Sequence, residues 1–260
     1  MVKSSVMKET TKILSKLARE SGKDFRDAFS DMLDFFIETF DVDNLMAHRF
    51  DMASVMSEAR SKNAGFYTCL TEWAVTVDKE MAGGRVHDFF GSVYEEEVKS
   101  AYKAAKMGQY YTPASLCDMC ADITVGDDSR TVSDPACGSG RMLLSAFRKM
   151  DKSRFAYFVG EDLDSTSVKM CALNMMMHGM LGHVVCHDTL RQDFLFAYAV
   201  NETRWPMPST IPSVRLITEA ECRNLSAWLS RRYGHGKPVE QPQETRPTRK
   251  EPFQLTLFTD

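Results

Sequence analysis

The residues with the clearest chemistry form one heptad with two glycines, Asp134-Pro135-Ala136-Cys137-Gly138-Ser139-Gly140. The heptad follows a short apolar run and precedes a segment of helix length. Glycine adopts backbone conformations that a Cβ forbids, and it lets a ligand approach the chain closely. The free N–H groups at the start of the next helix attract a carboxylate or a phosphate. The heptad therefore predicts a ligand-binding loop between a strand and a helix.

Two common phosphate-binding motifs do not fit this heptad. A dinucleotide-binding fold has a third glycine about three residues further on, where this chain has Met142 and Leu143. A Walker loop ends in Gly-Lys-Ser or Gly-Lys-Thr, whereas Gly140 is followed by Arg141. The remaining alternative is a plain tight turn, which would explain Gly138 and Gly140 but not the other residues of the heptad.

The elements that must position the loop change in character near residue 110. Before that point apolar residues recur at steps of three and four, the spacing of a helix face, and no proline precedes Pro113. Beyond it, short apolar runs alternate with helix-length segments. The runs lie at Thr131–Ser133, Phe155–Val159 and Val184–Cys186, and the segments at Ala114–Thr124, Arg141–Met150 and Ser165–His178. This alternation predicts a parallel sheet with helices on its faces.

Composition sets further limits on the class of protein. The chain has 260 residues and a net charge of −4, with 43% hydrophobic and 26% charged residues, which is typical of a globular protein. No run approaches the roughly 18 apolar residues of a membrane-spanning helix, so no membrane partner is expected. Seven cysteines, an odd number, favour reduced thiols in a cytoplasmic protein. We expect a helical domain over 1–107, an α/β domain over 108–233 and a disordered tail over 234–260.

Four further segments accompany the heptad in a fixed order. Upstream lie Asp88-Phe89-Phe90-Gly91-Ser92-Val93-Tyr94-Glu95 and Gly108-Gln109-Tyr110-Tyr111-Thr112-Pro113; downstream lie Gly160-Glu161-Asp162-Leu163-Asp164 and the stretch from Asn174 to Leu190. Together these segments resemble the N-6 adenine-specific DNA methyltransferases, most closely the methylation subunits of type I restriction–modification systems. The heptad is similar to motif I of that family. The resemblance covers about residues 85–190.

The resemblance implies an α/β fold, the Rossmann-like fold of S-adenosylmethionine-dependent methyltransferases, behind an all-helical N-terminal domain. Its sheet would be truncated after the third or fourth strand. The implied cofactor is S-adenosylmethionine, and the implied partner is DNA, contacted directly or through another subunit. The implied cofactor-binding residues are Tyr111, Thr112, Asp134, Ala136, Cys137, Gly138, Gly140, Asp162, Leu163 and Asp188.

Some of these residues have an expected role and an alternative. Asp162 would accept hydrogen bonds from the ribose hydroxyls, with Glu161 as the second choice. Asp188 would accept from the adenine amino group or else cap a helix. Thr112 would place a hydroxyl near the methionine carboxylate, and Tyr111 would line the site or pack beside it.

The catalytic segment of the resembled family is missing from this chain. That family uses Asn-Pro-Pro followed by Tyr or Phe to accept the amino hydrogens of an extruded adenine and to stack on its ring. Here no Pro-Pro pair occurs, and the corresponding stretch has Asn201, Trp205 and Pro206 in a different order. No catalytic residue is assigned. Two hypotheses stay open: an adenine methyltransferase with an atypical or externally supplied acceptor pocket, and a non-catalytic accessory module.

Two other features bear on partners and metals. Gln254, Leu255, Leu257 and Phe258 form a Gln-Leu-x-Leu-Phe sequence that resembles the peptide by which bacterial replication and repair proteins dock on the sliding clamp. The alternative is a terminus that folds back onto its own core. Cys117 and Cys120 have the spacing of half a zinc site but no second pair, so we expect no metal.

Overall fold

The computed structural model describes residues 2–98, 112–151, 156–191, 193–202 and 211–225. Within 2–98 the chain is helical, which confirms the sequence expectation for this range. No helix in the described ranges is long and apolar enough to cross a membrane. Six helices lie within residues 2–98, namely α1 (Val2–Ser21), α2 (Phe25–Thr39), α3 (Val42–Ala47), α4 (Met52–Lys62), α5 (Ala64–Ala82) and α6 (Phe89–Val98).

Helix α2 shows why this part of the sequence is helical. Asp24 precedes it, and the Asp24 side chain accepts a hydrogen bond from the backbone N–H of Asp27, which satisfies a free donor of the first turn. Its buried residues recur at helical spacing and face the core. Phe36 stacks on Trp73 of α5 with ring centroids 5.3 Å apart, and Trp73 lies 4.7 Å from Phe90 of α6. These rings join three helices.

In the part of the chain that the structure describes, five strands form one mixed sheet in the order β1-β2-β3-β4-β5. The first three run parallel, and β4 and β5 are each antiparallel to the strand before. Helix α7 precedes β1, α8 joins β1 to β2, and α9 joins β2 to β3. The bounds are α7 (Ala114–Thr124), β1 (Thr131–Asp134), α8 (Arg141–Lys149), β2 (Tyr157–Asp162), α9 (Ser165–Met177), β3 (Gly182–Asp188), β4 (Asp193–Val200) and β5 (Val214–Ile217).

The predicted parallel sheet is correct for β1 to β3 and wrong beyond them. After Asp188 a short turn returns the chain directly as β4, paired antiparallel with β3. A parallel fourth strand would need a crossover of a dozen or more residues, and the turn has no room for one. The expected end of the sheet after the third or fourth strand is also wrong, because β5 pairs with β4.

Helix α9 lies at the centre of the molecule. Every residue from Met170 to Met177 is fully buried, as expected for a helix that is covered on all sides. It packs against α2 on one side and against β2, β3 and β4 on the other. The N-terminal helices and the sheet therefore share one hydrophobic core. The domain boundaries at 107 and 233 stay predictions, and the tail over 234–260 lies outside the described residues.

Candidate functional site

The glycine heptad forms the turn between β1 and α8, at the carboxyl end of the parallel strands. Gly138 and Gly140 have φ angles of +52° and +85°, a region that residues with a Cβ rarely adopt. The N–H of Gly140 donates to the Cys137 carbonyl at 2.8 Å, which closes the turn. The N–H of Cys137 donates to the carbonyl of Glu161 in β2 at 2.9 Å, so the turn is tied to the neighbouring strand.

The two glycines have different surroundings. A Cβ on Gly140 would lie 2.8 Å from Sγ of Cys171 on α9, so the backbone passes too close to this helix for any side chain. A Cβ on Gly138 would meet nothing within 4 Å among the described residues. Gly140 is therefore needed for packing, whereas the space next to Gly138 is filled by none of the described residues.

Asp162 ends β2 beside this open space. Its Oδ2 accepts from the N–H of Gly138 at 2.9 Å, and its Oδ1 accepts from the N–H of Asp164 at 2.9 Å. A carboxylate has about four lone-pair positions. Among the residues that the structure describes, these two bonds leave about two positions for a ligand's hydroxyl groups. Leu163, the next residue, is 63% exposed and offers an apolar surface at the same place.

Three other candidate cofactor-binding residues lie within the loop itself: Asp134, Ala136 and Cys137. Oδ1 of Asp134 accepts from the N–H of Ala136 at 3.1 Å and so fixes the first turn of the heptad. Burial raises the pKa of Asp134, and the nearby Asp162 carboxylate adds to the shift. The contact with Cys171 and burial raise the pKa of Cys137, so this side chain stays a protonated, packed thiol.

Thr112 is bonded to the first residue of α8, the helix that follows the glycine loop. Nη1 of Arg141, the first residue of α8, donates to the Thr112 carbonyl at 2.9 Å. The structure thus places the Thr112 backbone next to the start of α8, directly after the glycine loop. Tyr111 lies outside the described residues, as do Gln254, Leu255, Leu257 and Phe258.

Comparisons with known proteins point to one family. Residues 85–201 match the model of the N-6 DNA methylase family. This segment belongs to that family. The type I restriction enzyme MjaIX methylase subunit of Methanocaldococcus jannaschii is 29% identical over 136 residues, which covers 46% of this chain and 24% of that protein. The type I restriction enzyme MpnII methylase subunit of Mycoplasma pneumoniae is 31% identical over 99 residues, 36% of this chain and 18% of that protein.

A solved structure is also similar in part. The type I restriction-modification system methyltransferase subunit from Streptococcus thermophilus has a TM-score of 0.34 and 18% identity, over 79% of this chain and 55% of that one. The alignments span 24% and 18% of the two curated relatives' length, so this chain is similar to only a part of each.

Asp188 ends the third strand of the methylase segment. Its Oδ1 accepts from the N–H groups of Leu190 and Arg191 at 2.9 and 3.1 Å. The bonds from Arg191 and Leu190 lower the pKa of Asp188 and keep it charged. A hairpin turn follows β3, so the alternative that Asp188 caps a helix is wrong. The other oxygen, Oδ2, lies 3.7 Å from Nε of Arg191.

Asn201 lies at the opposite edge of the sheet from the glycine loop. Val200 pairs with Gly182, the first residue of β3, so β4 ends where the parallel strands begin. Nδ2 of Asn201 donates to the carbonyls of Met176 and Met180 at 3.0 and 2.9 Å, and its Oδ1 accepts from the N–H of Ser213 at 3.1 Å. The Asn201 side chain therefore holds a turn. Trp205 and Pro206 of the same stretch lie outside the described residues.

Asp88 has the most densely bonded carboxylate among the described residues near the loop, and no role for it was expected from the sequence. This buried group accepts from Gly91 N, Ser139 Oγ, Arg141 Nε and Asn174 Nδ2 at 2.6 to 2.9 Å. Asp88 was visible only as the first residue of a segment that carried the family resemblance. The sequence signal for its role is that the chain has both this acidic segment and an arginine, Arg141, directly after the heptad.

Proposed function

We propose that this chain binds S-adenosylmethionine at the loop beside Asp162 and serves adenine-N6 methylation of DNA in a type I restriction–modification system. The observation that carries the proposal is the space over Gly138, which no described residue fills, next to a carboxylate that keeps about two lone pairs unused by those residues. Membership of residues 85–201 in the N-6 DNA methylase family supports this cofactor, because such enzymes depend on S-adenosylmethionine in general. The relatives' names support the type of system.

The residues present fit the chemical groups of this cofactor. The N–H groups at the start of α8 suit the carboxylate of its amino-acid end. We expect the Thr112 hydroxyl and Tyr111 to contribute at the same end. Asp162 would accept from the ribose hydroxyls, Leu163 would pack against the adenine ring, and Oδ2 of Asp188 would accept from the adenine amino group. When bound, the cofactor supplies an electrophilic methyl group on a sulfonium centre.

Calorimetric titration with S-adenosylmethionine tests the proposal. A hydrogen bond to a charged group contributes about 1.5–3 kcal/mol, so we expect Asp162→Asn to weaken binding about 10- to 100-fold. Gly138→Ala would place a methyl group in the open space and should weaken binding as well. Gly22→Ala is the matched control, because Gly22 also has a positive φ, +66°, and a Cβ there also meets nothing within 4 Å, but it follows α1 rather than β1. Wild-type protein that shows neither heat nor a melting shift at millimolar cofactor would refute the proposal.

Methyl transfer itself separates two versions of the proposed function. In the first, the chain is the cofactor-binding part of an enzyme whose acceptor groups come from other residues or another subunit. In the second, it is a non-catalytic module, which the position of Asn201 far from the loop favours. Incorporation of labelled methyl into mixed-sequence DNA, with and without co-expressed restriction–modification subunits, decides between them. Nothing in the comparisons supports the sliding-clamp alternative.

A further inference from the structure

Asp88 connects the helical part of the molecule to the glycine loop. It stands directly before α6, yet three of its four hydrogen-bond donors come from residues 51 to 86 positions later in the chain. Oδ1 accepts from Gly91 N at 2.9 Å and Asn174 Nδ2 at 2.8 Å. Oδ2 accepts from Ser139 Oγ at 2.6 Å and Arg141 Nε at 2.9 Å. Nη2 of Arg141 also lies 2.9 Å from Oδ2. Donors from four residues thus fill the lone pairs of the carboxylate, so the position of each donor is fixed by the others.

Gly91 makes this close approach feasible. A Cβ at this position would lie 2.1 Å from Oδ2 of Asp88 and 2.5 Å from Oγ of Ser139. Gly91 lies inside α6, where alanine is otherwise favoured over glycine by about 1 kcal/mol. The glycine is therefore explained by its contact with the loop and not by the conformation of the helix.

Arg141 extends the connection to a third segment. Its guanidinium bonds to Asp88 at 2.9 Å, to Oε1 of Glu95 at 3.2 Å and to the Thr112 carbonyl at 2.9 Å. Burial lowers the pKa of Arg141, but Asp88 and Glu95 outweigh burial and hold it above its usual value. Asn174 adds a bond from Nδ2 to the Ser139 carbonyl at 2.9 Å. Helix α6, the glycine loop and Thr112 are thus held by one polar network.

The network does not hold all of the loop equally. Its members reach Ser139, the start of α8 and Thr112, which is the side proposed for the amino-acid end of the cofactor. The proposed ribose side is held separately, by the bonds from Gly138 N and Asp164 N to Asp162. A buried ion pair contributes little net stability compared with an apolar replacement, and one established use of such groups is to specify a conformation. These observations favour a positioning role over a general contribution to stability.

We propose that Asp88 is a positioning residue that fixes the loop at the amino-acid end of the cofactor site. This inference rests on the proposed function. Asp88→Asn keeps the shape of the side chain but removes its charge and half of its acceptor capacity. Ser139 and Arg141 then lose their common anchor, while Asp162 keeps its own contacts. Asp88→Asn therefore weakens the binding of ligands that carry an amino-acid end and leaves the binding of ligands that lack it unchanged.

The test compares two ligands by calorimetric titration. S-adenosylhomocysteine carries the amino-acid end, and 5′-methylthioadenosine lacks it. We expect Asp88→Asn to weaken the binding of S-adenosylhomocysteine about tenfold and the binding of 5′-methylthioadenosine less than about twofold. Ser139→Ala removes only the 2.6 Å bond and keeps the Asp88–Arg141 pair, so it provides the same comparison if Asp88→Asn does not fold. Ser139→Ala should weaken the binding of S-adenosylhomocysteine less than Asp88→Asn does, and it should likewise leave the binding of 5′-methylthioadenosine nearly unchanged.

Glu202→Gln is the structural control for this comparison. Glu202 pairs with Arg215 at 2.8 Å beside β5, away from the loop, so this variant should lower the melting temperature without changing either affinity. The positioning role is overturned if Asp88→Asn weakens the binding of both ligands equally, or if it weakens the binding of neither. Absence of binding to wild-type protein instead overturns the proposed function, so the two failures are distinguishable.

Discussion

Alanine at Gly138 and at Gly140 should have unequal effects on stability, although both glycines have positive φ. A left-handed conformation costs a residue with a Cβ roughly 1–2 kcal/mol. Gly138→Ala has this cost alone, because its Cβ meets nothing within 4 Å. Gly140→Ala has the same cost and also places its Cβ 2.8 Å from Sγ of Cys171, a fully buried atom. Overpacking of this kind costs about 1–3 kcal/mol, so Gly140→Ala should be less stable than Gly138→Ala by that amount.

Urea unfolding at equilibrium measures the difference, and Cys171→Ala identifies its cause. Removing Sγ relieves the overlap with the new Cβ, so Cys171→Ala should recover about 1–3 kcal/mol of the loss in the Gly140→Ala background. The effects of Gly138→Ala and Cys171→Ala on the free energy of unfolding should add within about 0.5 kcal/mol, since the Cβ at position 138 does not reach Cys171. Equal losses for the two alanine variants, or no coupling between Gly140 and Cys171, would show that the described loop packing is wrong.

Other variants test the remaining parts of the structure. Burial lowers the pKa of His183 to about 4, below the usual 6.5, so the unfolded chain takes up the proton first and stability falls as the pH drops from 6.5 towards 4. Urea unfolding should show a loss of roughly 1 kcal/mol from this group between pH 7.5 and 5.5, which His183→Gln should abolish. Asn201→Ala should lower the free energy of unfolding by about 1–3 kcal/mol and leave the affinity for S-adenosylmethionine unchanged by titration. Gly91→Ala should lower the melting temperature in spite of its better helix propensity, because its Cβ overlaps Asp88 and Ser139.

Local pattern was sufficient to predict the loop and the elements on either side of it. The heptad carries its own turn chemistry in Gly138 and Gly140, and both adopt the positive φ that only glycine adopts readily. The helix-length segments beginning at Ala114, Arg141 and Ser165 are helices in the structure. These features depend on residues close in sequence, which is why periodicity and glycine placement were informative.

The direction of β4 was not predictable from the same kind of pattern. The turn after Asp188 contains no glycine or proline, the residues that usually mark a hairpin. The Asp188 carboxylate supplies the turn instead, by accepting from Leu190 N and Arg191 N. The network around Asp88 was hidden for a different reason. Its contacts with Ser139, Arg141 and Asn174 depend on tertiary packing, which a single sequence does not specify.

The direction of β4 also determines where the groups for methyl transfer lie. A strand of eight residues spans on the order of 20 Å, so a chain that runs antiparallel along β3 carries Asn201 that far from the glycine loop. A parallel strand at the same position would have ended on the same edge as Gly138 and Asp162. The presence of an asparagine and a nearby proline in the sequence is therefore no evidence for an acceptor pocket. Because Asn201 already uses its amide to hold a turn against Met176 and Met180, it has a structural role that persists whether or not the chain transfers methyl groups.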